Sequence, residues 1–227
     1  MHEIISCIAL SMGVAWASGI NLYAAMLVLG LLGASGNMPL PEPLQILEQP
    51  LVIGVAGVMY CVEFFADKIP GVDSTWDALH TFIRIPAGAV LAASAVADVE
   101  PSYTLAAALI GGSLTAGTHL TKAGSRLLVN TLPEPFSNIG VSLAEDFLAI
   151  GGLWFALQYP LVFLVFLVLF LLLMIWVLPI LWRVLKGMFD TLRSMFRSNN
   201  REHLPEKLHT RSALVLLLAW PARYTDF

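Results

Sequence analysis

Pro160–Trp182 is an unbroken apolar run of Leu, Val, Phe and their like, with no Asp, Glu, Lys or Arg in it. A helix needs about 20 such residues to cross roughly 30 Å of hydrocarbon. The run opens with Pro160, whose fixed φ suits the first helical position, and closes against Arg183 and Lys186. One such segment commits the chain to lipid, and the composition agrees. Of the 227 residues 58% are hydrophobic and 12% charged, against about 25% charged in an ordinary globular domain. Mean hydropathy is +0.79. So little polar surface excludes a water-soluble enzyme, a disordered regulator and a nucleic-acid binder.

The same reasoning predicts an all-α integral membrane bundle of about six spans. Ile4–Gly33 and Leu51–Ala66 join Pro160–Trp182 as clear candidates. Phe82–Ala97, Thr104–Leu120 and Ser142–Leu157 are shorter and rich in Ala and Gly, as expected of helices packed on protein rather than lipid. Met1-His2-Glu3 lacks the basic start of a cleavable signal, so the first segment is expected to stay as an anchor. Residues 1–182 hold four basic residues, Lys68, Arg84, Lys122 and Arg126, against twelve acidic ones; residues 183–227 hold eight basic and four acidic. The loops at 34–50 and 98–103 have acids and no Lys or Arg. Basic loops stay inside, which predicts a cytoplasmic-membrane protein with both termini cytoplasmic.

Residues 1–182 read as the membrane domain and residues 183–227 as a cytoplasmic basic tail. There Trp182, Leu185, Phe189, Leu192 and Phe196 recur at helical spacing beside Arg183, Lys186, Arg193 and Arg197. Such a helix would lie on anionic lipid headgroups; the alternative is a plain continuation of the last span with a charge cluster. Ala213–Trp220 is apolar but too short to cross. Within the membrane domain Ala17–Leu22 resembles Thr115–Leu120, a match that would imply a three-plus-three inverted repeat.

The informative polar stretch is residues 63–86. Pro70-Gly71 breaks one helix, and Asp73 or Ser74 would cap the next. Asp73, Asp77, His80 and Arg84 then fall at i, i+4, i+7 and i+11, on one face. His119, Lys122 and Arg126 form a second stripe at i, i+3 and i+7, and Ser142 with Glu145 and Asp146 a third, read as another capping box. Asn21 beside Gly19 marks either an unwound stretch of the first span or an ordinary interhelical hydrogen bond. Glu63 reads as snorkelling to the interface. Ionisable groups at membrane depth cost roughly 2.5–3.5 kcal/mol each on insertion scales. They therefore face one another or a wet cavity, as ion pairs locking the bundle or as a solute or proton pathway.

There is no Walker loop, no His-Glu-x-x-His, no Cys-x-x-Cys and no Gly-x-Ser-x-Gly. No metal or other cofactor is expected, and Cys7 and Cys61 read as packing residues. The run Glu63–Gly88, with Ala66–Gly71 and Trp76–Arg84 at its centre, is similar to the signature of an uncharacterised bacterial family of small multi-spanning proteins, classed as a domain of unknown function. Ser18–Tyr23, Thr121–Arg126 and Val141–Asp146 resemble its other recurring stretches. The resemblance covers about residues 10–160. It implies the membrane class and a shared polar core, and brings no reaction, substrate or cofactor.

The expectation is a transporter or channel-like protein for a small polar or anionic solute, with proton coupling through Asp77 and His80. Arg84, Lys122 and Arg126 would neutralise substrate charge, Asp73, His119, Glu145 and Asp146 would line the route, and Asn21 would supply backbone contacts. Gly19, Pro70 and Gly71 are the expected structural breaks. The rival readings are a scaffold whose tail binds lipid or a partner, and a membrane-embedded enzyme. The expected partners are the bilayer, the solute or proton, and a second copy of the chain, with no nucleic acid.

Overall fold

The computed structural model describes residues 2–131 and 135–202, and every regular element among them is helical. α1 (His2–Ala34) leads through a short 3-10 helix (Glu42–Glu48) into α2 (Pro50–Ala66); α3 (Val72–Ser94), α4 (Pro101–Val129), α5 (Pro135–Gln158) and α6 (Pro160–Glu202) follow. Four of these helices begin on a proline, which has no N–H to leave unpaired at a helix start. Between α2 and α3 the chain turns at Gly71 with φ +86, a left-handed conformation that glycine adopts without strain.

The chain divides into one unit over Met1–Trp182 and a second from Arg183. In the second, the backbone is helical as far as Glu202; the expected apolar face at Leu185, Phe189, Leu192 and Phe196, and the segment Ala213–Trp220, lie outside the described side chains.

Three helical stretches are long and apolar enough to cross a membrane, Glu3–Ala34, Phe136–Gln158 and Pro160–Arg183; the 3-10 helix and α2, bent by 68°, make a fourth if taken as one broken span. α3 and α4 have the length, 23 and 29 residues, but their polar residues lower their apolarity. Those polar residues point inward. Asp73, Asp77, Arg84, His119, Lys122 and Arg126 are buried, while Leu79, Phe82, Val90, Leu105 and Leu109 are exposed. Such an inside-out distribution suits a hydrocarbon solvent.

Small residues set the helix spacing. A side chain at Gly88 would run into Thr115, one at Gly111 into Ala92, and one at Gly19 into Thr118 and the Thr115 carbonyl. α3 and α4 thus lie almost backbone to backbone with α1 against both. Gly19 is itself helical, so its role is close approach, not a break; the chain leaves helical geometry at Asn21. α6 stands at the edge, its Phe163 and Phe170 meeting Trp16 edge-on at 6.2 and 5.8 Å.

The ends of the bundle are clearly defined. Glu3, Ile4 and Cys7 share a cavity of about 580 Å³ with Val96, Val99 and Tyr103, and Ile5 shares another with Gln158, Tyr159 and Pro160. The start of α1, the α3–α4 junction and the α5–α6 junction are therefore together at one end. At the other, Arg126 meets Asp67 and Asn138, Asn130 bonds Asp73 and Ser74, and Gly124 packs on Leu181. α1 packs along α5, yet α4 has no comparable packing on α2, its counterpart in a three-plus-three repeat.

Candidate functional site

The site starts from the interruption of α1. Asn21 has φ −148 and ψ 98, extended geometry inside an otherwise continuous helix. Its side-chain oxygen accepts the Ala24 N–H at 2.9 Å, as a cap would, and its amide donates to Asp146 Oδ1 at 3.1 Å. The break frees the Ile20 carbonyl, which accepts from Arg84 Nη1 at 3.2 Å and Lys122 Nζ at 3.0 Å. Asn21 thus combines the two features that its sequence setting offered as alternatives, an unwound stretch and an interhelical hydrogen bond.

Around that carbonyl the stripes on α3 and α4 close on the end of α2. Lys122 Nζ lies 2.8 Å from Asp67, 3.3 Å from Glu63, 3.7 Å from Asp77 and 3.9 Å from Glu145. Arg84 pairs with Glu63 and, at 3.2 Å, with Asp77. Arg126 holds Glu145 at 2.6 Å, the Asp67 carbonyl at 2.8 Å and Asn138 Oδ1 at 2.5 Å, with Asp73 at 3.9 Å. Asp73 is further satisfied by the backbone N–H of Gly71 and by Asn130. Its place differs from the expected cap: α3 begins at Val72 behind Gly71, and Asp73 lies in the first turn. The second expected capping box is likewise corrected, because α5 begins at Pro135 and Ser142 lies well inside it.

The two histidines stand apart. Arg84 can only donate, so His119 Nδ1 accepts its bond at 3.2 Å, and the Nε2–H goes to Thr81 Oγ1 at 2.8 Å. His80 Nδ1 donates to the Trp76 carbonyl at 2.9 Å, its Nε2 shares a hydrogen bond with the Tyr23 hydroxyl at 3.2 Å, and Trp76 stacks on the ring. With Nδ1 accepting from Arg84, the His119 ring is neutral in this arrangement. His80 therefore shares a face with Asp77 and Arg84 but bonds elsewhere.

Sequence reasoning left Glu63, Asp67, Asn138 and Tyr23 out of the expected route. Glu63 is fully buried between Arg84 and Lys122, not snorkelling. The available signal was its i, i+4 spacing from Asp67, which puts both carboxylates on one face of the α2 terminus. Lys68, in the turn that follows, bonds the Phe64 carbonyl and Ser142. Partial burial pulls its ammonium below the ordinary lysine range, against the attraction of Asp146 and Asp67.

Among the described residues three cations, Arg84, Lys122 and Arg126, are ion-paired with five carboxylates, Glu63, Asp67, Asp73, Asp77 and Glu145, which leaves two negative charges in excess. One oxygen each of Glu63, Asp67, Asp77 and Asp146 is buried and accepts no hydrogen bond. No group of three or more His, Cys, Asp or Glu among the described residues is arranged to hold a metal ion. Four cavities of about 240–580 Å³ are lined almost wholly by apolar side chains, none of them from this network.

Fold and site together define a helical membrane-type protein organised around a buried, carboxylate-rich charge network. The chain belongs to the family described as Domain of unknown function (DUF4126), whose model matches residues 8–180. No curated protein and no solved structure matches it.

Proposed function

We propose that the protein is a membrane carrier whose route runs through the network joining α1–α5, and that the structure is its closed form. The observation that carries this reading is the charge imbalance at the break in α1. A lock made only of ion pairs needs no surplus charge, and burying one is costly. Here carboxylates outnumber cations five to three among the described residues, beside a carbonyl released from its helix. A discontinuous helix whose free backbone faces ionisable side chains is a recurring way to build a transport site at membrane depth. The same imbalance favours a small polar or cationic solute over an anion, since every cation of the network is already engaged by carboxylates.

The membrane layout follows from the placement of the ends. α3, α4, α5 and α6 each connect one end of the bundle to the other. α1 starts at the acidic end and α2 finishes at the opposite one, so α1, the 3-10 helix and α2 together make one net crossing. We therefore favour five net crossings over six. The end holding Lys68 and Arg126 faces the cytoplasm by charge bias, and the start of α1 with Glu3, Asp98 and Glu100 faces out.

Dense pairing and apolar cavities favour a second reading, a scaffold locked by its ion pairs. Liposomes loaded with a pH-sensitive dye and given gradients of protons and small solutes separate the two. A carrier gives protein-dependent flux that Asp77→Asn and Arg84→Gln abolish; a scaffold gives none across the panel while all three proteins stay folded.

A further inference from the structure

The two negative charges in excess require a positive partner, and the charged groups on every packed element narrow the choice. On α4, Lys122 has three N–H bonds to give, and the Ile20 carbonyl, Glu63 and Asp67 take them. Arg126 is committed to Glu145, Asp67 and Asn138. On α3, Arg84 gives its terminal N–H groups to Glu63, Asp77 and Ile20 while its buried Nε makes no hydrogen bond, and Asp73 has both oxygens occupied by Asn130, with Gly71 adding a third bond. His119 has both ring nitrogens engaged, by Arg84 and Thr81, and His80 has both engaged, by Trp76 and Tyr23. On α5, Glu145 faces Arg126, and Asp146 accepts from Asn21; from α1, Tyr23 faces His80. Lys68 is turned to Phe64 and Ser142.

Three carboxylates remain under-served. Glu63, Asp67 and Asp77 lie within 3.7 Å of the same ammonium nitrogen. Each is at least 98% buried, at 0%, 2% and 1% exposed, and each keeps one oxygen with no hydrogen-bond partner. Five carboxylates share three cations across this network, and repulsion among these three close neighbours favours a proton held between them. A proton bound there removes one of the two excess negative charges and gives an orphaned oxygen a donor in one step, H⁺ plus carboxylate giving a carboxylic acid, with nothing oxidised or reduced. A metal cation would need a converging donor set, which the described residues do not form.

We infer that the Glu63–Asp67–Asp77 cluster around Lys122 holds a shared proton at neutral pH, and that this proton is the ion to which transport is coupled. Its role rests on the carrier reading; its presence does not. Infrared difference spectroscopy of the purified full-length protein at neutral pH tests its presence directly. The expected result is the carbonyl band of a protonated carboxyl group, shifted in heavy water, weaker in Glu63→Gln and in Asp77→Asn, and retained in Glu63→Asp. A band left unchanged by both substitutions, or no band in the wild type, overturns the inference. So does a band removed by adding sodium at constant pH, which would give the place to a metal cation. Band and flux fail separately: a band without flux leaves the proton and removes the carrier, whereas flux without a band leaves the carrier and removes this proton.

Discussion

Lys122 has more oxygens around it than it has hydrogens to offer, and the consequences of substitution follow from that ratio. Removing a cation strips several buried carboxylates of their partner at once, whereas removing a carboxylate relieves a surplus. Lys122→Met and Arg84→Gln should therefore each destabilise by about 3–5 kcal/mol, the range for breaking a buried pair. Glu63→Gln should cost about 1 kcal/mol or less, because the amide oxygen still accepts from Arg84 and the neutral side chain mimics a protonated acid. Thermal unfolding in detergent checks the asymmetry; equal losses on both sides would mean a balanced network. Gly71→Ala should cost about 1–2 kcal/mol by the same measurement, the penalty for an L side chain in left-handed geometry.

Among the elements, α3 and α4 depend on approach as much as on charge. Gly88 lies directly against Thr115, so Gly88→Val should push the helices apart and cost about 1–3 kcal/mol as overpacking. It should also weaken binding or flux, since Arg84 and Lys122 are held across that seam. Gly140, with open space around its α-carbon, should accept Ala with no measurable loss. The charged stripes of these helices were legible in the sequence because period 3.6 alone puts Asp73, Asp77 and Arg84 on one face and His119, Lys122 and Arg126 on another. Partners from α2 were not, since nothing local reports that Glu63 and Asp67 face α4 rather than the interface. Ser142-x-x-Glu145 shows the opposite failure: a pattern that fits a helix start occurs inside a helix, where its spacing serves to put Ser142 and Glu145 on the same face. The break at Asn21 was legible as an alternative only, because Asn suits both an unwound turn and a hydrogen bond between helices.

At the scale of the whole molecule, the apolar exterior and polar interior follow from composition, but the layout does not. Counting apolar segments assigns α1 and α2 one crossing each. In the proposed layout they make one net crossing together, because Glu3 and Tyr103 line one cavity while Asp67 meets Arg126 at the opposite end. In a variant with Cys7 and Cys61 replaced, a membrane-impermeant thiol reagent should label Glu3→Cys and Glu100→Cys from the same side, and Ile69→Cys from the other. Labelling of Glu3→Cys and Ile69→Cys from one side would restore the six-crossing layout with a cytoplasmic start.

The central claim is that the buried network opens to water during a cycle. Ser142 is fully buried, one turn from Glu145 and Asp146 on α5 and within reach of Lys68, so Ser142→Cys places a small reporter against the network. Measured in liposomes, with the native cysteines replaced, the rate of its modification by a charged, water-borne thiol reagent should be low at rest and rise when a proton gradient is imposed. A cysteine that stays unreactive under the gradient, yet reacts fully once the protein is unfolded, would contradict the claim and leave the network as a lock.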